Sequence, residues 1–396
     1  MSHNRQSVFV SEYICGGALA GQELPSSLAA EGGAMLAAVV EDLADLPRVE
    51  VTTTLDRRLI VASEQVGKDN EIPTRQLVNS LTRQSVRVVE ISDAADEIAC
   101  FHRLVRECDA TLVIAPEFDR ILFDRTRWVE QAGGRLLGSS SQAIDVASDK
   151  YRTNRLLAER GVPATKGVCW QLGEWASGRV GAHELRVDGL KSAIGPSFPD
   201  PRPPTPDPPP LPQFPAVLKP RFGAGSQCTY LIERASDVPQ ILEQAVREGI
   251  GEHALLETYV AGQPASVAVL VADDGATALP VCSQRLSDNG GFRYLGGSLP
   301  VLGPQARRAQ EVAVRAVGCI PALWGYVGVD LVLHADGTGV TVVEINPRLT
   351  TSYVGLRAAL EENLMAVLVG EVHGRFRGPK RIRRISFRSD GQVSAE

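Results

Sequence analysis

A stretch near the C-terminal end of the chain carries two acids and an amide at a spacing that suits a divalent cation. Residues 327–346 read as a β-hairpin, because Asp336-Gly337 is a turn signal flanked on both sides by alternating apolar residues. Centring the turn on Gly337 sets Asp330 across from Glu344, Val332 from Val342 and Leu331 from Val343. Side chains alternate faces along a strand, so Val329, Leu331, Leu333, Val343 and Ile345 form one apolar face. Asp330, Glu344 and Asn346 then share the other. Two carboxylates about 5 Å apart on facing strands raise one another's proton affinity unless a cation lies between them. An oxygen-only set of this kind suits Mg²⁺ on nucleotide phosphates far better than it suits zinc or copper. Arg348 continues the same face, toward a phosphate or a carboxylate.

A second cluster is Lys219-Pro-Arg-Phe-Gly-Ala-Gly-Ser226. A strand over 216–218 delivers the lysine, and the small residues Gly223, Gly225 and Ser226 let backbone amides close over phosphate oxygens. The lysine precedes the glycines and no helix follows, so this is not the G-x-x-x-x-G-K-[ST] loop; it also fails G-x-G-x-x-G. Glu257-Thr258-Tyr259-Val260 ends a buried strand just before Ala261-Gly262. A strand leaving the core there offers the backbone edge that an adenine ring can pair with. Lys150, on a helix upstream, is a second candidate for phosphate.

The elements that must position these groups fall into two patterns. In the first third, strand-like runs at 8–13, 49–55, 86–91, 111–115 and 135–138 alternate with helical patterns at 27–46, 93–108 and 119–132. That alternation predicts βαβ units and a mainly parallel sheet, with Ser92 or Asp93 capping the middle helix. Ligands in such folds sit beyond the strand C-termini, which nominates the loops at 12–17, 56–58 and 116–119. One long helix is predicted from 140 to 161. Eleven prolines crowd residues 196–215, which excludes helix and central strand and predicts an exposed polyproline II insertion. Beyond it, strands at 216–219, 227–233, 254–260, 266–271, 326–333 and 340–346, with helices at 236–248, 304–317 and 355–367, predict an α+β module. Seven Lys or Arg between 375 and 388 read as a solvated, fraying tail.

Composition narrows the classes. A length of 396 residues predicts two or three domains. A formal net charge of −6 argues against nucleic-acid binding, which needs clustered cations. No apolar run approaches a membrane span of about 18 residues. Seven scattered cysteines with no C-x-x-C read as reduced thiols of a cytoplasmic protein.

Taken in order, Asp149-Lys150, Lys219-Pro with Gly223-Ala-Gly-Ser226, Glu257-Thr-Tyr-Val-Ala-Gly262, Gly328-Val-Asp330 and Glu344-Ile-Asn346-Pro-Arg348 resemble the ATP-grasp superfamily over roughly residues 140–370. The resemblance implies an α/β and α+β protein: a Rossmann-like pre-grasp and substrate domain at 1–139, then two α+β subdomains that clamp ATP. These fall at 140–262, carrying the insertion, and at 263–374, carrying the metal site, followed by the basic tail at 375–396. It assigns Lys150 and Lys219 with the Gly-rich loop to phosphates, Glu257, Thr258, Tyr259 and Val260 to adenine, and Asp330, Glu344 and Asn346 to Mg²⁺ or Mn²⁺. In place of the family's acid two residues after the hinge glycine stands Pro264. Glu12-Tyr13, Gly16-Gly17, Glu31-Gly32 with Met35-Leu36, Asp56 and Phe292-Arg-Tyr-Leu-Gly-Gly297 resemble, more narrowly, the tyramine–L-glutamate ligases of methanofuran biosynthesis.

The implied activity is a carboxylate–amine ligase working through an acyl phosphate. It would join glutamate to tyramine or a related aromatic amine in methanofuran-type cofactor biosynthesis. Arg348 and Arg293 are the candidates for orienting the carboxylate and the oxyanion, and Glu12 and Asp56 for holding a substrate ammonium. The partners are then small-molecule acids and amines, with no nucleic acid and no membrane, and a homodimer is left open. The alternative is a nucleotide-binding scaffold without turnover that docks a partner through the Pro-rich loop.

Overall fold

The computed structural model describes residues 5–65, 77, 79–172, 212–371 and 381–395. The Pro-rich insertion lies outside the described residues up to 211, as does the segment 372–380.

The amino-terminal part is a parallel sheet of β1 (Gln6–Glu12), β2 (Val49–Asp56), β3 (Val86–Ile91) and β4 (Ala110–Ile114), in the order β3-β2-β1-β4. Its central strands are buried on both faces because helices cover both. Val8 and Val10 pack under the helix Ser26–Ala44, while Phe9 faces the helices Ala94–Glu107 and Ile121–Gln131. Asp93 caps the middle helix, its carboxylate accepting the Asp96 amide at 2.8 Å, as predicted. The run at 135–138 forms only a single parallel bridge, Thr111 with Leu136, rather than a fifth strand. A helix that the pattern did not signal, Arg57–Gln65, follows β2.

The predicted helix from 140 to 161 is two helices, Ser141–Ala147 and Lys150–Glu159. The chain breaks because Asp149 leaves helical geometry to cap the second one, accepting the Arg152 amide at 3.0 Å. Lys150 therefore stands at the first position of a helix.

Beyond it come two antiparallel sheets. The smaller consists of β5 (Gly167–Gln171), β6 (Ala216–Pro220), β7 (Tyr230–Ile232) and β8 (His253–Thr258), in the order β5-β8-β6-β7, backed by the helix Val238–Arg247. The strand expected over 227–233 begins only at Tyr230. Gly225, Ser226 and Cys228 take positive φ and keep the preceding segment a loop. The larger sheet contains β9 (Gly262–Ala272), β10 (Gly275–Ala278), β11 (Cys282–Leu286), β12 (Tyr294–Leu299), β13 (Gly325–His334), β14 (Val340–Asn346), β15 (Ile385–Arg388) and β16 (Val393–Ala395). The helix Pro304–Val317 presses its alanine and valine face onto this sheet.

The basic tail corrects an expectation. Ile385–Arg388 is a strand hydrogen-bonded to β12, with Ile385 and Phe387 buried, so this part of the tail is folded. The helix predicted at 355–367 is also two, Ser352–Ala359 and Leu364–Val369, and both pack against the helix Ser26–Ala44. The pre-grasp sheet and the end of the larger sheet thus share one hydrophobic core.

Candidate functional site

β13 and β14 pair so that Asp330 faces Glu344, Val329 faces Ile345 and Gly328 faces Asn346. The predicted opposition of the two acids is therefore present. Toward the turn the register shifts: a bulge after Asp330 sets Leu331 against Val342 and Val332 against Thr341. Val342, not Val343, consequently joins Val329, Leu331, Leu333 and Ile345 in the core, and Val343 turns to the other side. Sequence alternation misses this, because one extra residue inverts every face beyond it.

That other side is the wall of a cavity of about 270 Å³ between the two antiparallel sheets. Into it face Asp330, Glu344, Asn346 and Arg348 from the hairpin, and Lys150 from its helix terminus. Lys219 from β6, the loop residues Gly223, Gly225 and Ser226, and Glu257 to Val260 at the end of β8 complete the expected set. Burial first, and then the facing Glu344, push the Asp330 carboxyl up to about 7. Asp330 accepts hydrogen bonds from Gln284 at 2.8 Å and Asn346 at 3.0 Å. Burial also opposes charge on Glu344, but Lys150 and Lys219 outweigh it and hold that carboxyl down to about 2.

The two lysines are held by acids of the site itself. Lys150 Nζ lies 3.2 Å from Glu344 Oε2 and donates to the Gly223 carbonyl at 2.7 Å, which ties it to the Gly-rich loop. Lys219 Nζ sits 2.7 Å from Glu257 Oε2, and Asn154 donates to the other oxygen of that carboxylate at 2.8 Å. Glu257 thereby differs from its expected role. Its backbone is paired on both sides, with Val217 and Gly167, and its side chain anchors a lysine. The free edge begins after it. The Thr258 amide goes to Lys166 and the Tyr259 amide to Pro215, while the Val260 N–H meets no partner among the described residues.

Arg348 is forked onto a residue of the pre-grasp domain. Its Nε and one terminal nitrogen donate to the two oxygens of Glu117, each at 2.9 Å, and its second terminal nitrogen donates to the Leu349 carbonyl at 3.0 Å. Burial works against the guanidinium charge, but the Glu117 carboxylate more than offsets it and raises the pKa further.

Three expected site residues lie elsewhere. Arg293 is exposed in the turn between β11 and β12, where its amide donates to Ser287 Oγ; the neighbouring Phe292 and Tyr294 line the cavity instead. Asp56 is buried beneath Arg58, which donates to it from Nε at 3.0 Å and reaches on to the Leu19 carbonyl. Glu12 lies behind the cavity wall, accepting the Cys15 amide at 2.5 Å, and burial pushes its carboxyl up to about 7. The narrower family resemblance suggested all three; which way a loop side chain turns is not written in its neighbours. The structure also adds residues that the sequence did not single out, Gln284, Thr350, Thr351 and Ser352, and it brings Glu31, marked by the Glu31-Gly32 motif but given no role there, into the same cavity.

The donor set fits a divalent ion. It is oxygen-only, and its two acids face each other across the strand pair in the cavity wall. Among the described residues no group of three or more His, Cys, Asp or Glu offers a rival metal site.

Residues 190–352 match the family model described as an ATP-grasp domain, and residues 49–144 match that described as a pre ATP-grasp 3 domain. The tyramine–L-glutamate ligase of Methanocaldococcus fervens is 27% identical over 296 residues, covering 72% of this chain and 74% of that enzyme. Its counterpart in Methanocaldococcus jannaschii is 26% identical over 250 residues, covering 63% of this chain and 58% of the other. Among solved structures, an ATP-grasp superfamily protein from Archaeoglobus fulgidus superposes with a TM-score of 0.63 at 22% identity, over 97% of this chain and 92% of that one. The biotin carboxylase of Campylobacter jejuni also gives 0.63, at 13% identity, over 97% and 75%.

Proposed function

Because the chain belongs to the ATP-grasp superfamily and is an ATP-grasp ligase, we propose that it joins a small-molecule carboxylate to an amine at the expense of ATP. The observation that carries this is the direct opposition of Asp330 and Glu344 beneath two lysines in one cavity. Asp330, Glu344 and Asn346 are the residues that would hold Mg²⁺ or Mn²⁺. Such an ion would supply charge neutralisation to the nucleotide phosphates.

Lys150 and Lys219 neutralise the remaining phosphate oxygens, exchanging their present acid partners for the nucleotide. The loop around Gly223, Gly225 and Ser226 closes over the phosphates, and its link to Lys150 makes closure and phosphate binding one event. The adenine ring lies along Thr258 to Val260, with the Tyr259 and Phe292 rings, 6.4 Å apart, at the same wall. A substrate carboxylate attacks the γ-phosphorus, releasing ADP and leaving an acyl phosphate. The amine then attacks the acyl carbon, Arg348 stabilises the tetrahedral oxyanion, and phosphate departs. Phosphoryl transfer asks for positioning and charge stabilisation, which explains a site without a protein nucleophile.

Glutamate as the acid and tyramine or a related aromatic amine as its partner are the substrates that the curated relatives' names support. Methanofuran-type cofactor biosynthesis is the corresponding setting. The test crosses amino acids against aromatic amines and measures ADP release. Release that requires both an acid and an amine is expected. The competing scaffold reading has in its favour Pro264, which lines the cavity where an acid was expected; ADP release that no acid or amine stimulates would favour it.

A further inference from the structure

At the end of the cavity beyond Asn346 the charges do not balance. Arg348 is matched there by Glu117, oxygen for nitrogen, at 2.9 Å on both arms of the fork. Glu31 is a second carboxylate beside the same guanidinium. It projects from the helix Ser26–Ala44 and lines the cavity with Arg348, Tyr294 and Thr351. Among the described residues no lysine or arginine forms an ion pair with it; the Thr351 hydroxyl and the charge of Arg348, already engaged, are what favour its ionised form against burial.

The helix itself does not account for Glu31. Its first turn holds no acid, and Glu31 lies beyond that turn, where the attraction of the positive helix end has faded. Its placement is nevertheless well determined. The next residue, Gly32, seats on the Glu12 carboxylate so closely that a Cβ there would stand 2.5 Å from Glu12 Oε1. Glu12 is in turn pinned to the Cys15 amide. A buried acid behind the wall thus fixes the helix at the point where the next acid enters the cavity. A surplus carboxylate, held rigidly in a partly dry wall, calls for a cation from outside the protein.

Resting on the ligase reading, we propose that Glu31 receives the primary ammonium group of a substrate, so that the site takes an ammonium beside Glu31 and an acyl group beside Arg348. That chemistry has two sources: the α-ammonium of an amino acid whose side-chain carboxylate is activated, or the ammonium of the incoming amine.

The test is calorimetric titration of the full-length protein, loaded with MgADP, with the common L-amino acids, with glutarate as the des-amino counterpart of glutamate, and with tyramine. Wild type is compared with Glu31→Gln and Glu31→Asp. Glu31→Gln is expected to weaken the ammonium-bearing ligand at least about tenfold, the effect of losing a hydrogen bond to a charged group, with MgADP affinity unchanged and glutarate unaffected. Glu31→Asp should restore part of the loss. A loss confined to amino acids assigns Glu31 to the acid substrate, and one confined to tyramine assigns it to the amine. Unchanged binding of both, an equal loss for glutarate, or a wild type that binds none of these ligands would overturn the proposal. Glu31-dependent binding in a wild type that never releases ADP would instead sink the ligase reading and leave this one standing.

Discussion

Glu117→Gln separates an arginine that is oriented from one that merely happens to be near. Glu117 is buried and Arg348 largely so, with side-chain exposures of 3% and 13%, and two charge-assisted hydrogen bonds join them across the boundary between the pre-grasp sheet and the hairpin. Removing one member of a buried pair costs about 3–5 kcal/mol, because the other is left without compensation. Here glutamine keeps one acceptor oxygen, worth about 1 kcal/mol. Glu31 and Glu344 also remain close enough to feel the guanidinium. The net loss should therefore be about 2–3 kcal/mol. Thermal unfolding of Glu117→Gln, Arg348→Met and the double variant forms a cycle whose coupling energy should be about 2 kcal/mol. ADP release should fall more than about tenfold with KM for ATP nearly constant, because the lysines proposed for phosphate are untouched and only the proposed acyl end is misaligned. Additive single effects, or a stability change below about 0.5 kcal/mol for Glu117→Gln, would refute the argument that this pair holds the arginine.

Glu344→Gln should leave the far-UV circular dichroism spectrum intact while lowering ADP release at least about a hundredfold, since the proposed metal site would lose a charge and Lys150 its partner; near-normal turnover would take Glu344 out of the chemistry. Glu12→Gln probes the buried acid behind the wall. Its folded pKa of about 7 stands above the unfolded value of 4.5, so the native state holds the extra proton between those limits and loses stability as pH rises through them. The glutamine variant should match wild type near pH 4.5 and exceed it by up to about 3 kcal/mol above pH 7, read from melting temperatures across pH; parallel profiles would contradict the assignment. Gly32→Ala gains about 1 kcal/mol of helix propensity but must push into Glu12, so a net loss of about 1 kcal/mol is expected. Shortening the acid with Glu12→Asp should recover it in the double variant, as measured by denaturant midpoints.

The amino-acid order by itself determined much of the proposed phosphate end of this protein. Alternation along 327–346 with a turn at Asp336-Gly337 marks the hairpin, but Asp330 meets Glu344 only through the bulge: nearer the turn Leu333 pairs with Val340 and Leu331 with Val342, and the extra residue, Val343, brings the two acids opposite each other. A lysine leaving a strand into a run of glycines similarly announces its own loop. The doubly covered parallel sheet was legible because short β-branched or aliphatic runs alternate there with helical patterns. Local pattern failed where a backbone departs from its period: at the bulge after Asp330, at the Asp149 cap that splits one helix into two, and in the tail, whose basic residues hide the buried Ile385 and Phe387. At the proposed acyl end the sequence marked Arg348 and the Glu31-Gly32 motif, but their meeting with Glu117 belongs to the tertiary structure. Glu117 and Arg348 are 231 residues apart, and Glu31 comes from a helix with no metal or phosphate signature of its own. Their meeting depends on how the pre-grasp sheet docks against the helices at 352–369. Docking is decided by the summed burial of a shared core and not by any short-range spacing, so no motif could have foretold which loop acids would turn into the cavity and which, like Asp56 and Glu12, would be spent holding the fold.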